Sequence, residues 1–303
     1  NPAAFNNVYG FRPSLGRVPR GPAGEVFYQQ FSVEGPMGRT VQDLALLLSI
    51  QAGYDERDPI SLQNDPDVFT LPLEHDMRGR TIGWLGDLGG YLPMEDGILE
   101  LGRQALNKCE DIGCHVDECK LGFAPERLWD TWLTMRAFLV AGKQRPLYQD
   151  PDKRAMMKPE AVWEVERGMQ LSAADVYGAA EVRTAWYKAV CELFRRYDYL
   201  AMPAAQVFPF PAEIHWPRSI GNCTMDTYHR WMECVIPASL VGVPAISMPA
   251  GFGSQGLPTG IQIIGRPQGD LDVLRLARAY EQATGWVQTY IQPLLGEKNK
   301  KEI

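Results

Sequence analysis

The first bounds come from what this sequence has little of. It holds four histidines and six cysteines in 303 residues. No G-x-S-x-G elbow, H-E-x-x-H pair, P-loop or C-x-x-C occurs in it, which removes the usual strings for hydrolase-elbow, zincin, nucleotide and dithiol chemistry. No apolar stretch approaches the length of a bilayer span and no signal-peptide pattern is legible, so no membrane partner is expected. An excess of positive charge is missing as well. Lys and Arg number 30 against 37 Asp and Glu, a net charge of -7, which argues against nucleic acid as the partner. The cysteines are too sparse for a disulfide scaffold, so a reduced, cytoplasmic setting is expected.

Hydrophobic residues make up 45% and charged residues 22%, the composition of an ordinary folded protein with a sizeable core. At this length one large domain and a core with an insertion are both open. Cys109, Cys114 and Cys119 with His115 are the nearest thing to a metal cluster. Their spacing is not a zinc spacing, and Cys114 and Cys119 should point to opposite faces of a strand. They read as small buried thiols, and neither metal nor cofactor is expected.

Along the chain, "RTVQDLALLLSIQAG" reads as a helix capped by Thr40 and closed near Gly53. Residues 21–37 before it and 54–69 after it are Pro/Gly-marked connections. "RTIGWLGDLGG", "PMEDGILELGRQALNKCEDIG" and "CHVDEC" read as strand, helix and strand, with Gly113 past the helix end. Gly83, Gly86, Gly89 and Gly90 do not fit G-x-G-x-x-G and are read as a loop, not a nucleotide site.

Residues 123–196 form a helical insertion, in which Leu128, Trp132, Met135 and Leu139 recur as a helical stripe. Residues 143–159 inside it, charged and broken by proline, are read as a loop. "DYLAMP" is a short strand, and a proline-rich loop follows it. "AISMPAGFGSQGLPTGIQIIG" reads as two strands joined at Gly-Ser-Gln-Gly, with 241–265 predicted as adjacent antiparallel strands. "DLDVLRLARAYEQATGW" is a last helix with Asp270 as cap and Gly285 at its end, and "GEKNKKEI" a frayed tail. No repeat emerges. The expected fold class is α/β: a mixed, twisted sheet flanked by helices, with a helical insertion in a single domain over 1–303.

His75, His115, His215 and His229 lie in separate contexts, and none sits beside a Ser or Cys in a triad, so each is read as a surface or satisfied histidine. Three stretches in order nevertheless resemble one family: "NPAAFNNVYGFRPSLGRVPR", "VEGPMGRTVQDLALLLSIQAGYDERDP" and "VIPASLVGVPAISMPAGFGSQGLPTGIQIIGRP" with its following helix. They are similar to the amidase signature family, from Asn1 to Trp286, weakest in the middle third. In that family a Gly-rich G-G-S-x-R loop stands just before the position of Asn1. It carries the nucleophile of a Ser-Ser-Lys triad, in which a buried neutral lysine draws the serine proton through a second serine. The same loop holds the oxyanion. The resemblance therefore implies a carbon–nitrogen hydrolase seen as its C-terminal portion, with no catalytic residue of its own and the N-terminal part absent. The missing initiator Met favours a piece of something longer.

The resemblance also addresses the substrate. Amidotransferase subunits of the family hold the glutamine amino group with an acid a few positions before the proline of P-A-x-L-x-G. Five residues before Pro237 stands Met232, with Glu233 adjacent to it. Met232 favours an apolar or aromatic small-molecule amide, while a register shifted by one would restore the acid. Trp231, Met232, Trp132 and Met135 are the candidate pocket wall, with core packing the competing reading for each. Arg167 matches a substrate-facing arginine of the amidotransferases, or is a solvated helix arginine. The other functional readings are a non-catalytic remnant or partner protein that keeps the scaffold, and a glutamine-dependent amidotransferase A-type subunit. Self-association is expected wherever the partial fold leaves apolar surface uncovered.

Overall fold

Two apolar runs flank Gly253–Gly256, and the chain folds back there as the sequence predicts. In the computed structural model, which describes residues 1–21 and 23–289, they form the central pair of a sheet. The strands in chain order are β1 (Tyr9–Arg12), β2 (Met37–Gly38), β3 (Thr81–Trp84), β4 (His115–Glu118), β5 (Tyr199–Pro203), β6 (Ser219–Ile220), β7 (Cys223–Thr224), β8 (Ala245–Phe252) and β9 (Pro258–Gly265). Seven of them join in the order β2-β1-β8-β9-β5-β3-β4, while β6 and β7 form a separate hairpin. β3 runs parallel to β4 and β5, and the other contacts in the large sheet are antiparallel. Residues 241–244 are not strand as predicted: Val241 ends a short helix, and Gly242 turns the chain with φ +67°.

The helices are α1 (Pro2–Phe5), α2 (Val41–Gln51), α3 (Ile98–Asp111), α4 (Pro125–Gln149), α5 (Pro151–Ala155), α6 (Pro159–Gln170), α7 (Ala173–Arg196), α8 (Ile236–Val241), α9 (Asp270–Thr284) and α10 (Trp286–Thr289). They cover two faces that the strand alternation separates. Tyr9, Phe11, Ile246, Met248, Ile261 and Ile263 face α2, α3 and α9, in one core. Leu200, Met202, Ala245 and Ile264 face α4, α7 and α8, in the other. Cys109 and Cys114 join the first core and Cys119 packs against the second, so Cys114 and Cys119 do lie on opposite faces. Thr40 caps α2 as predicted, accepting the Asp43 N–H at 3.0 Å.

Two further expectations are overturned. Residues 143–159 are not a loop: α4 runs through Pro146 to Gln149, and Asp150 caps α5. An interior proline costs about 3 kcal/mol, but the helix formers Lys143, Gln144, Arg145 and Leu147 surround it and the turn is solvent-facing. α4 crosses α6 closely, at a point where a Cβ on Gly168 would stand 2.2 Å from the Ala137 carbonyl oxygen. Of the stripe predicted on α4, Leu128 is buried, whereas Trp132, Met135 and Leu139 are half-buried. The tail 296–303 lies outside the described residues.

The second reversal concerns Asp270, which is not the cap of α9. Gly269 holds that position. Asp270, fully buried, instead accepts the Ser14 N–H (2.7 Å), the Ser14 hydroxyl (2.8 Å) and the Arg17 guanidinium (3.2 and 3.0 Å). At the other end of α9, Glu281 accepts the Val41 N–H that opens α2, at 3.0 Å. α9 thus ties down the first fifty residues. Replacing Asp270 by Asn removes the charge that compensates buried Arg17 and should cost about 3–5 kcal/mol. Chemical denaturation measures this; a loss under about 1 kcal/mol would show that the cluster is not a clamp.

Candidate active site

The face of the sheet under α1 is built from small residues. A Cβ on Gly10 would lie 2.5 Å from that of Ala3, and one on Gly260 would lie 3.0 Å from that of Ala4 and 2.9 Å from the Ser247 hydroxyl. Glycine at these two places lets α1 sit directly on β1, β8 and β9. Cys234, whose carbonyl accepts from Gln262 on β9, is fully buried. Burial pushes its thiol up to about 12, so Cys234 is a packing group and not a nucleophile.

Two buried glutamines lace this region together. Gln206 accepts the Cys234 N–H at 3.1 Å and donates to the Pro93 carbonyl at 3.1 Å. Gln262, on β9, donates to the carbonyls of Pro203 (3.0 Å) and Cys234 (2.8 Å). They fix the 3-10 helix Arg230–Val235 against the end of β5 and the middle of β9. These bonds favour a single arrangement, because moving either amide leaves buried backbone groups unsatisfied.

That 3-10 helix carries two of the predicted pocket residues. Trp231 is buried; it stacks on Phe5 at 6.0 Å and meets the edge of Phe210 at 5.3 Å. Met232 is half-buried and packs on the same cluster, which Val207, Trp216, Ile220 and Met225 complete. A cavity of about 650 Å³ opens beside it, between Val207, Phe210 and Ile220. Glu233 is engaged elsewhere. Its carboxyl accepts the Tyr91 hydroxyl at 2.8 Å and the Arg230 guanidinium at 3.0 Å, and it is 5% exposed. Burial pushes it up to about 7, against the pull of Arg230 and Tyr91.

The other predicted residues are placed differently. Trp132 stacks on Trp129 at 5.7 Å and meets the His229 ring at 5.1 Å. His229 in turn meets Tyr228 at 5.1 Å, and Tyr228 meets Trp216 at 6.5 Å. Trp132 therefore reaches the Met232 cluster only through a chain of rings. Met135 is half-buried one turn further along α4. Arg167 stacks on Trp163 of its own helix at 5.6 Å.

His229 itself departs from the sequence reading. It is buried, with Nε2 3.4 Å from Glu164 and Nδ1 without a partner among the described residues. Burial, then Arg136, holds its imidazole down to about 3, so it is neutral and the contact with Glu164 is no ion pair. Arg136 pairs with Glu164 instead. Glu164 went unflagged in the sequence, although Gly168 one turn on marks the face of α6 that meets α4.

The Glu233 environment has a titration consequence. A carboxyl whose folded pKa is raised adds stability that is complete below its unfolded value near 4.5 and is lost as pH rises through about 7. Glu233→Gln should flatten that fall, so that the stability gap between parent and variant shifts in the variant's favour from pH 4.5 to 8. Urea unfolding at the two pH values measures it, and an unchanged gap would place Glu233 in a more solvated site.

Known proteins bear on the same residues. The family model described as Amidase matches residues 1–274. The A-type subunit of glutamyl-tRNA(Gln) amidotransferase from Dehalococcoides mccartyi is 31% identical over 310 residues, covering 94% of this chain and 61% of that protein. An acylamidase of Rhodococcus erythropolis is 27% identical, over 94% of this chain and 59% of its own. The crystal structure of a bacterial aryl acylamidase, described as one of the amidase signature enzymes, superposes with a TM-score of 0.86 at 30% identity, over 95% of this chain and 60% of that one. The chain spans about three fifths of the length of the curated relatives it matches. Sheet, helices and sequence agree, and the chain belongs to the amidase signature family.

Proposed function

We propose that the protein to which this chain belongs hydrolyses the carbon–nitrogen bond of a small apolar or aryl amide. One observation carries the choice of substrate: Met232 packs into an aromatic cluster while Glu233, its acidic neighbour, is engaged by Tyr91 and Arg230. A substrate ammonium brought to Met232 would not find the neighbouring Glu233 free, whereas an aryl or alkyl group would meet Trp231, Phe5 and Phe210. The likeness to an acylamidase and to an aryl acylamidase supports the same reading.

On this reading the chemistry follows the family pattern. A serine of the Gly-rich loop ahead of Asn1 attacks the amide carbon, a neutral lysine takes its proton through a second serine, and the amine leaves with that proton. Water then releases the acyl group. The residues of this chain supply the support: α1 seats the loop's continuation on the sheet, Gln206 and Gln262 fix the 3-10 helix, and Trp231 and Met232 wall the cleft. An A-type subunit of a glutamine-dependent amidotransferase is the second reading, supported by the 31% identity to such a protein. Self-association is part of the proposal, because Leu46 and Ile50, one turn apart on α2, are 55% and 73% exposed.

The full-length protein should turn over anilides faster than glutamine. Met232→Asp buries a carboxylate without a partner and should lower anilide kcat/KM about tenfold or more; unchanged kinetics would remove Met232 from the site. Residues 1–303 alone should neither hydrolyse amides above background nor take a serine-directed phosphonate label, while a polypeptide extended through the Gly-rich loop and lysine does both. The loss of a triad costs on the order of a million-fold. Rapid labelling of any serine between Ser14 and Ser254 in the shorter chain would overturn this.

A further inference from the structure

A cavity of about 420 Å³ lies between Arg20, the segment 29–33, the middle of α4 and Ser239 on α8. Its lining includes four cations, Arg12, Arg20, Arg136 and Lys143, and no acid; Trp132 and Leu139 form its apolar wall. An adjoining hollow of about 640 Å³ shares Arg20, Leu139 and Lys143, and its one acid, Glu25, accepts the N–H groups of Phe27 and Tyr28. A concave surface with cations on one side and apolar groups on the other is the form of a site for an organic anion.

The state of the arginines makes the same point independently. Arg12 projects from β1 and donates only to carbonyls, those of Phe31 (2.7 Å) and Ser239 (3.4 Å); its Nε is buried without a partner. Burial, then neighbouring Arg183, lowers its pKa to about 10. Arg183 on α7 is likewise held by neutral groups, the Leu240 carbonyl and the Gln30 amide oxygen, and stacks on Phe31 at 4.8 Å. Arg20 donates to the Ser32 carbonyl at 2.7 Å. Of the four lining cations only Arg136 has a carboxylate, Glu164. Among the described residues, no carboxylate forms an ion pair with Arg12, Arg20, Lys143 or Arg183. The carbonyls of Ser239 and Leu240 close the last turn of α8, and capping that helix end accounts for Arg183 and for one nitrogen of Arg12. It leaves the buried Arg12 Nε without an explanation, beside the half-buried Arg20 and the exposed Lys143. Partial charges do not neutralise buried guanidiniums, which elsewhere are found paired.

We propose that this cavity binds a small organic carboxylate, its anionic end among Arg12, Arg20 and Lys143 and its apolar body on Trp132 and Leu139. Such a site goes beyond the amidase reading and does not depend on Met232 or its wall.

Calorimetric titration of the full-length protein with benzoate, benzamide and inorganic phosphate tests it. Benzoate should bind at least about tenfold more tightly than its neutral isostere benzamide, and more weakly as salt is raised. Phosphate, which has no apolar body, should bind more weakly than benzoate. Lys143→Glu alters an exposed side chain and should weaken benzoate about tenfold; Arg12→Met should abolish binding, with Arg20→Met as the alternative if the Arg12 variant does not fold. Met232→Asp should leave benzoate affinity unchanged whether or not amide turnover falls. Equal binding of benzoate and benzamide, phosphate binding as tightly as benzoate, or an affinity that responds to Met232→Asp and not to Lys143→Glu would each overturn the proposal.

Discussion

The carboxylate of Asp270 is the point on which this structure turns. It accepts four hydrogen bonds, two from Ser14 and two from Arg17, across 256 and 253 residues of chain. The charge is buried, and a buried charge persists only where its partners are placed well. Both sides of the contact are therefore held: the segment after β1 on one side, the start of α9 on the other. With α9 set, Val273, Leu274 and Ala277 cover β8 and β9, Tyr280 donates to the Pro249 carbonyl at 2.7 Å, and Glu281 opens α2. One core face follows from one carboxylate.

The opposite face carries the candidate site, and it is arranged by other means. There the sheet presents small groups, Gly10, Gly260 and Ser247, so that α1 lies on the strands themselves rather than on a layer of side chains. The 3-10 helix above is fixed by paired amides, from Gln206 and Gln262, and not by apolar contact alone. Apolar packing tolerates small slides, whereas hydrogen-bond pairing in a buried place does not. The difference suits the proposed wall, where a misplacement of about 1 Å would cost a reaction dearly.

Much of the frame was legible because its signals are local. The β8–β9 hairpin is written in two apolar runs and a glycine turn, Thr40 in its spacing to Asp43, and α3 in an apolar repeat closed by Gly113. The failures share a different origin. Asp270 stands where a helix cap belongs, but its partners, Ser14 and Arg17, are at the other end of the chain and no window of sequence contains all three. Pro146 reads as a break, yet the helix formers around it and its solvent-facing turn let α4 continue. His229 has the look of a surface histidine, being preceded by Asp226 and Thr227, and only the packing of α4 and α6 against it makes it a neutral core group. Of the proposed pocket, Trp231 and Met232 share one cluster because they are sequence neighbours on one short helix. The distance of Trp132 from them depends on how α4 lies across the sheet, which no local pattern encodes.

The order of the strands also has a meaning in time. β1 is made before its inner neighbour β8, which follows about 230 residues later, the pair Arg12 and Ala245 marking the register. At ordinary rates of protein synthesis that gap lasts on the order of ten to fifty seconds. Until then, among the described residues, β1 has only the two residues of β2 beside it, β5 has no partner in β9, and the Arg17 charge has no Asp270. The emerging chain must keep two open strand edges from pairing with anything else while the ribosome completes the pieces that close them. A nascent polypeptide of this topology is a natural client for chaperones that shield unpaired strands, and its sheet can close only after the last of its strands has been delivered.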